Sequence, residues 1–126
     1  MMMNPLLITR LLTALFLLAI TAAPLRAQDA AEGFLPGFED VPVQSGLIVD
    51  EEGTVVFDSP SGRIVEVYAT GPLAPESVLE FYGATLPEMG WQPVTRQRFQ
   101  RENEQLSIDF FDDQSNLSVR FTLAPL

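Results

Sequence analysis

Three side chains that carry much of enzyme chemistry are missing: the chain has no cysteine and no histidine, and its seven basic residues are all arginine. Without cysteine there is no disulfide staple, no thiolate nucleophile and no site for a lipid-modified N-terminal cysteine. The lack of histidine together with cysteine removes the Ser-His-Asp and Cys-His nucleophile systems and the usual zinc ligand sets. With no lysine, Schiff-base chemistry and the Walker-type phosphate loop go as well. Paired-carboxylate hydrolysis and Ca²⁺ coordination stay open in principle, because acids are abundant. Both need a cleft or a converging donor set, and the carboxylates show neither spacing. Asp112, Asp113 and Asn116 lack the Asp-x-Asp-x-Asp-Gly order of a calcium loop, and Asp50, Glu51 and Glu52 fare no better. The sequence therefore assigns no catalytic residue, no metal ligand and no cofactor.

The N-terminus has the form of an export signal. Residues 1–10 hold one arginine and no acid, Leu11 to Ile20 is almost wholly apolar, and Thr21 to Ala27 is rich in small residues. An apolar run of ten residues is half of the roughly 20 needed to span a bilayer, so cleavage rather than a permanent membrane anchor is expected. Cleavage after Ala27 leaves residues 28–126, and Arg10 and Arg26 depart with the leader. The remaining five arginines face all seventeen acids, a net charge of −12. Such a surface repels phosphate backbones, which excludes nucleic acid as a partner and disfavours an anionic membrane. The expected location is the periplasm, with the extracellular space as the alternative.

Residues 28–45 hold Gly33, Pro36, Gly37 and Pro42, a density of breakers that forbids a helix or a central strand. The segment nonetheless carries Phe34, Leu35, Phe38, Val41 and Val43, too apolar for a free linker, so it reads as an arm lying extended across a domain formed by residues 46–126. Between Gln28 and Gly62 there are eight acids and no base. Leu47 to Asp50 and Thr54 to Asp58 are short β-prone runs on either side of Glu51, Glu52 and Gly53, the composition of a three-residue hairpin loop. A turn cluster at Asp58 to Gly62 then leads into Arg63 to Thr70, where Val65, Val67 and Ala69 alternate with Ile64, Glu66 and Tyr68.

Pro75 opens the one helix, with Glu76 in its first turn at the positive end of the dipole. Val78, Phe81, Tyr82, Thr85, Leu86 and Met89 form its apolar stripe. Pro87 should tighten the last turn, and Gly90 should end the helix in the left-handed conformation. Gln92 to Arg101 and Glu104 to Phe111 read as a hairpin turning at Glu102 and Asn103, which sets Phe99 opposite Leu106 and Arg96 opposite Asp109. Leu117 to Leu123 alternates cleanly and, after a short loop, sets Val119 opposite Phe110 and Arg120 opposite Asp109. Asp109 is thus expected between Arg96 and Arg120. The order β-β-β-α-β-β-β implies an α+β domain, one helix packed on a twisted antiparallel sheet.

The segment VLEFYGATLPEMGW, residues 78–91, with FDSPSGR at 57–63, resembles a pattern of small exported bacterial domains whose roles are uncharacterised. The resemblance implies a fold and no activity. Arg96, Arg98, Arg101 and Arg120 fall on the C-terminal strands, where they serve either as pairing partners for acids or as a patch for anionic groups.

These features converge on an exported, non-catalytic domain acting through contact with an envelope protein, using the arm (Phe34, Leu35, Phe38) or an uncovered sheet face (Arg96, Arg98, Arg120). A small-ligand or Ca²⁺-binding domain is the alternative, and a carboxylate-based hydrolase a third. On export, N-terminal sequencing or intact-mass measurement is expected to find a product beginning at Gln28; an intact residues 1–27 would refute the cleavable leader.

Overall fold

The computed structural model describes residues 33–113 and 115–126; the leader and the first five residues of the arm lie outside this range. Six strands form one antiparallel sheet: β1 (Ile48–Ser59), β2 (Gly62–Gly71), β3 (Gln92–Thr95), β4 (Arg98–Arg101), β5 (Glu104–Asp113) and β6 (Asn116–Pro125). Their spatial order is β1-β2-β6-β5-β4-β3, so β1 and β3 are the two edges. Between β2 and β3 the chain crosses the sheet as helix α1 (Pro75–Thr85), followed by a 3-10 turn (Leu86–Met89).

This corrects the expected fold class. The order is β-β-α-β-β-β-β rather than β-β-β-α-β-β-β, and the described residues are mostly antiparallel sheet with one short helix rather than a balanced α+β domain. Two local features of the chain account for the difference. The runs on either side of Glu51, Glu52 and Gly53 are one strand with a register shift between Asp50 and Val55, not a hairpin, and both halves pair with β2. Conversely, residues 92–101 are two strands joined at Arg96 and Gln97, a turn lacking glycine, proline or asparagine.

Where the chain alternates strictly, the register is as predicted. Phe99 lies opposite Leu106, Phe110 opposite Val119 and Asp109 opposite Arg120. One face of the sheet is consequently apolar: Val65, Val67 and Ala69 of β2, Val119, Phe121 and Leu123 of β6, and Leu106 and Ile108 of β5 are buried. On this face α1 lays Val78 and Tyr82, followed by Leu86 from the 3-10 turn. Pro75 stands at the helix start without a side-chain cap, and Pro87 sits in the tightened last turn as the sequence implied. Gly90, at φ 88°, then ends it in the left-handed region that a residue with a Cβ enters at a cost.

The helix covers only part of this face, and residues 33–47 cover the rest. They are not extended, as expected, but folded back on themselves: Leu35 N–H donates to the Val41 carbonyl at 2.8 Å, Val43 N–H to the Gly33 carbonyl at 2.9 Å, and Phe34 bridges Pro42. Leu35, Phe38, Val41, Val43 and Leu47 are driven into the core. Gly71 lets the arm close against the end of β2, since a Cβ there would collide with the Gly46 carbonyl oxygen. Helix and arm meet at Tyr82, whose buried hydroxyl donates to the Pro42 carbonyl at 2.8 Å and accepts from Gln44 N–H at 3.2 Å. Burial pushes this phenol well above its ordinary pKa. The Gln44 side chain donates through Nε2 to Ser77 Oγ at 3.1 Å, tying the arm to the first turn of α1.

Tyr82→Phe keeps the ring and strands two buried backbone groups, so it is expected to cost about 1–3 kcal/mol, read as a shifted denaturant midpoint at unchanged slope. An unshifted midpoint would show that the hydroxyl does not fasten the arm.

Candidate functional site

Because β2, β5 and β6 alternate, the face opposite the core carries their polar residues, and among the described residues no element covers it. Its centre is a row running Tyr68, Arg120, Asp109 across β2, β6 and β5. Arg120 donates to Asp109 Oδ2 at 3.3 Å, and Arg98 donates to Oδ1 at 3.2 Å. The Arg120 guanidinium lies 5.0 Å above the Phe111 ring, and Tyr68 donates to Glu66 Oε1 at 2.8 Å. The pairs are half-buried and close the middle of the face electrostatically.

Asp109 is therefore held between two arginines, but one of them is Arg98 rather than the expected Arg96. The register between β4 and β5 is the predicted one; the chain simply turns before Arg96 can reach Asp109. Arg96 projects from the β3–β4 turn and grips Glu76 at the start of α1 in a two-pronged pair, 2.9 and 2.7 Å. That contact draws the Glu76 carboxyl below its usual range, although both side chains remain exposed. Arg98 and Arg120 share one carboxylate and Arg96 has its own. None of the three offers an unpaired guanidinium to an anion.

Arg101 is engaged on the core side. It donates to both oxygens of Asp40 at 2.7 and 3.1 Å and to the Met89 carbonyl at 2.9 Å, and its guanidinium lies 4.3 Å over the Trp91 ring. A fork-to-fork pair stacked on an indole is the geometry for which arginine is suited and lysine is not. This clasp pins the arm to β4 at one end of the core and borders a polar cavity of about 230 Å³, also lined by Arg63, Glu102 and Glu104. Among the described residues no group of three or more carboxylates is close enough to hold a metal ion, so the calcium reading finds no donor set there.

Toward β1 the surface changes character. Asp50 ends the paired first half of β1, and its side chain accepts from Gly53 N–H at 3.0 Å while its carbonyl accepts from Thr54 Oγ1 at 3.1 Å, which fixes the bulge. Beyond it, the register shift brings Val55 and Phe57 opposite Glu66 and Ile64, on the uncovered face, and leaves Val56 on the other. Val55, Val56 and Phe57 are 53%, 55% and 59% exposed, and Ile48 earlier in the strand is 75% exposed. Phe34, the one predicted arm residue that remains at the surface, shares a groove of about 210 Å³ with Ile48 and Val49. Leu35 and Phe38 belong to the core instead. Among the described residues, five of the eight exposed large hydrophobic side chains thus gather at this one edge.

The sequence held a sign of this surface. A strand with one covered face alternates, so three consecutive apolar residues, Val55 to Phe57, leave at least one in water unless both faces are covered. The Asp40–Arg101–Trp91 clasp had no comparable sign, because its members are separated by up to 61 positions. Comparison with protein-family models, with curated proteins and with solved structures finds no match, so the functional argument rests on this surface.

The clasp has a defined pH dependence. Arg101 holds the Asp40 carboxyl below its ordinary 3.8, with a weaker opposing push from burial. A carboxyl whose folded pKa is depressed contributes stability above its unfolded value and loses it as pH falls through the folded one. Asp40→Asn is therefore expected to lower the melting temperature by a constant amount near about pH 6 and by a shrinking amount below about pH 4. A difference that stays constant down to acid would show that charge plays no part in the clasp.

Proposed function

We propose that this chain is an exported, periplasmic, non-catalytic domain that works by binding another protein of the cell envelope, through the β1 side of its sheet. The observation that carries the reading is the cluster of Val55, Val56 and Phe57, exposed together on a sheet edge. Contiguous apolar side chains in water are unfavourable unless something covers them, at about 25 cal/mol per Å². Their concentration on one edge distinguishes a contact surface from scattered surface leucines or valines, which need no explanation. The leader-like N-terminus supports the envelope as the setting. The missing histidine, cysteine and lysine support binding over catalysis.

A partner contact here makes a differential forecast. The exported chain is cross-linked in its own cells and recovered as wild type, as Phe57→Glu, and as Val94→Glu on the opposite edge. Phe57→Glu is expected to lower recovery of the cross-linked partner at least tenfold, while Val94→Glu leaves it unchanged. Equal recovery from all three would remove the β1 side from the account.

A further inference from the structure

The two edges of the sheet are built differently. β3 is four residues long and contains Pro93, which has no N–H to offer, and both features blunt an edge against further pairing. β1 is twelve residues long, has no proline, and is paired on one side only among the described residues. The outward half of its backbone donors and acceptors is directed away from β2. Its bulge interrupts the ladder between Asp50 and Val55, so the regular stretch begins at Val55 and runs to Ser59. In that stretch Val55 and Phe57 face one side of the sheet and Val56 the other. A strand laid alongside would find apolar neighbours on both of its faces.

The charges on this strand itself are of one sign. β1 carries Asp50, Glu51, Glu52 and Asp58 and no basic residue. None of the four forms an ion pair within 4 Å among the described residues, although Asp58 lies opposite Arg63 in the strand pair. A second copy of this chain would bring four more acids to the contact, and like charges across a strand pair are destabilising. The complementary occupant is a cationic one.

Resting on the reading of the β1 side as a contact surface, we propose that β1 accepts an extended, basic segment of a partner protein as a seventh strand. Backbone hydrogen bonds to the free edge would supply affinity, and alternate apolar side chains would lie beside Val55, Val56 and Phe57. Arginine or lysine at the two ends would meet the acids of the bulge and Asp58; Asp50 and Asp58 lie opposite Tyr68 and Arg63, so the two ends stand ~17 Å apart along the edge. The recognised segment is accordingly a short apolar run with basic residues about five positions apart.

The test titrates the exported chain with three labelled peptides of about nine residues, the length of one strand. The first alternates valine and threonine between terminal arginine pairs. The second replaces the arginines by glutamate, and the third keeps the arginines but has proline at its centre. The first is expected to bind at least tenfold more tightly than the others, to weaken as salt rises, and to slow hydrogen exchange at residues 54–58. Val56→Lys, an edge charge of the kind that blocks strand addition, is expected to weaken it at least tenfold without moving the melting temperature. Equal affinity for the three peptides would overturn the inference, as would protection on β5 and β6 in place of β1. So would residues 54–58 already protected on both sides before any peptide is added, which would mean that the chain's own N-terminal residues or a second copy hold the edge. If the cationic peptide fails while Phe57→Glu still releases the envelope partner, strand addition is refuted and the contact reading survives. If Phe57→Glu releases nothing, the contact reading itself falls.

Discussion

The structure depends on covering one apolar face of a sheet that is wider than the one helix among the described residues. Six strands at ~4.8 Å spacing make a face about 24 Å across, and eleven helical residues at 1.5 Å rise span about 16 Å with a body about 10 Å thick. No disulfide can hold a partly covered core together in a chain without cysteine. The arm makes up the difference: Leu35, Phe38, Val41, Val43 and Leu47 cover what α1 leaves open. Its density of glycine and proline, which prevents regular structure, is what lets it fold into the irregular gap between helix and sheet edge.

The arm is fastened at two points of different character. At Tyr82 the joint is a buried hydroxyl satisfying an otherwise orphaned backbone donor and acceptor, which resists change in salt and in acid. At Arg101 it is a charge pair stacked on Trp91 and open to solvent on one side, which responds to both. Between them the helix, the arm and the sheet share one continuous core, with the polar cavity of about 230 Å³ at its border beside the clasp. The other face of the sheet is left without a covering element among the described residues.

There the charges and apolar groups separate. The Arg98–Asp109–Arg120 cluster neutralises itself in the middle of the uncovered face, with Phe111 packed against it, while β1 carries four acids and the exposed Val55, Val56 and Phe57. A half-solvated antiparallel sheet ordinarily guards its edges with proline, charge or shortness. β3 is guarded in that way. Among the described residues β1 has its bulge and negative charge, which repels copies of this acidic protein.

Much of this was legible in the residues. Strict alternation fixed which faces of β2, β5 and β6 point inward, and the two-residue turn at Glu102 and Asn103 set the register that joins Phe99 to Leu106. The apolar stripe from Val78 to Met89, with Pro75 and Gly90 at its ends, determined the helix and its tightened exit, because these are local effects of backbone sterics and period. The tertiary structure alone decided the rest. Residues 48–59 are equally suited to a hairpin or to a bulged strand, and only the continuous pairing with β2 chooses. Arg96 and Gln97 are not turn formers by type; the bend is held by Thr95 Oγ1, which accepts from Gln97 N–H at 3.2 Å, and by the pairing of β3 with β4, and it hands Asp109 to Arg98 and Arg96 to Glu76. Which apolar residues remain in water was likewise decided by topology: Leu35 and Val56 are similar as side chains, and one became core and the other edge according to what the fold had left to cover them.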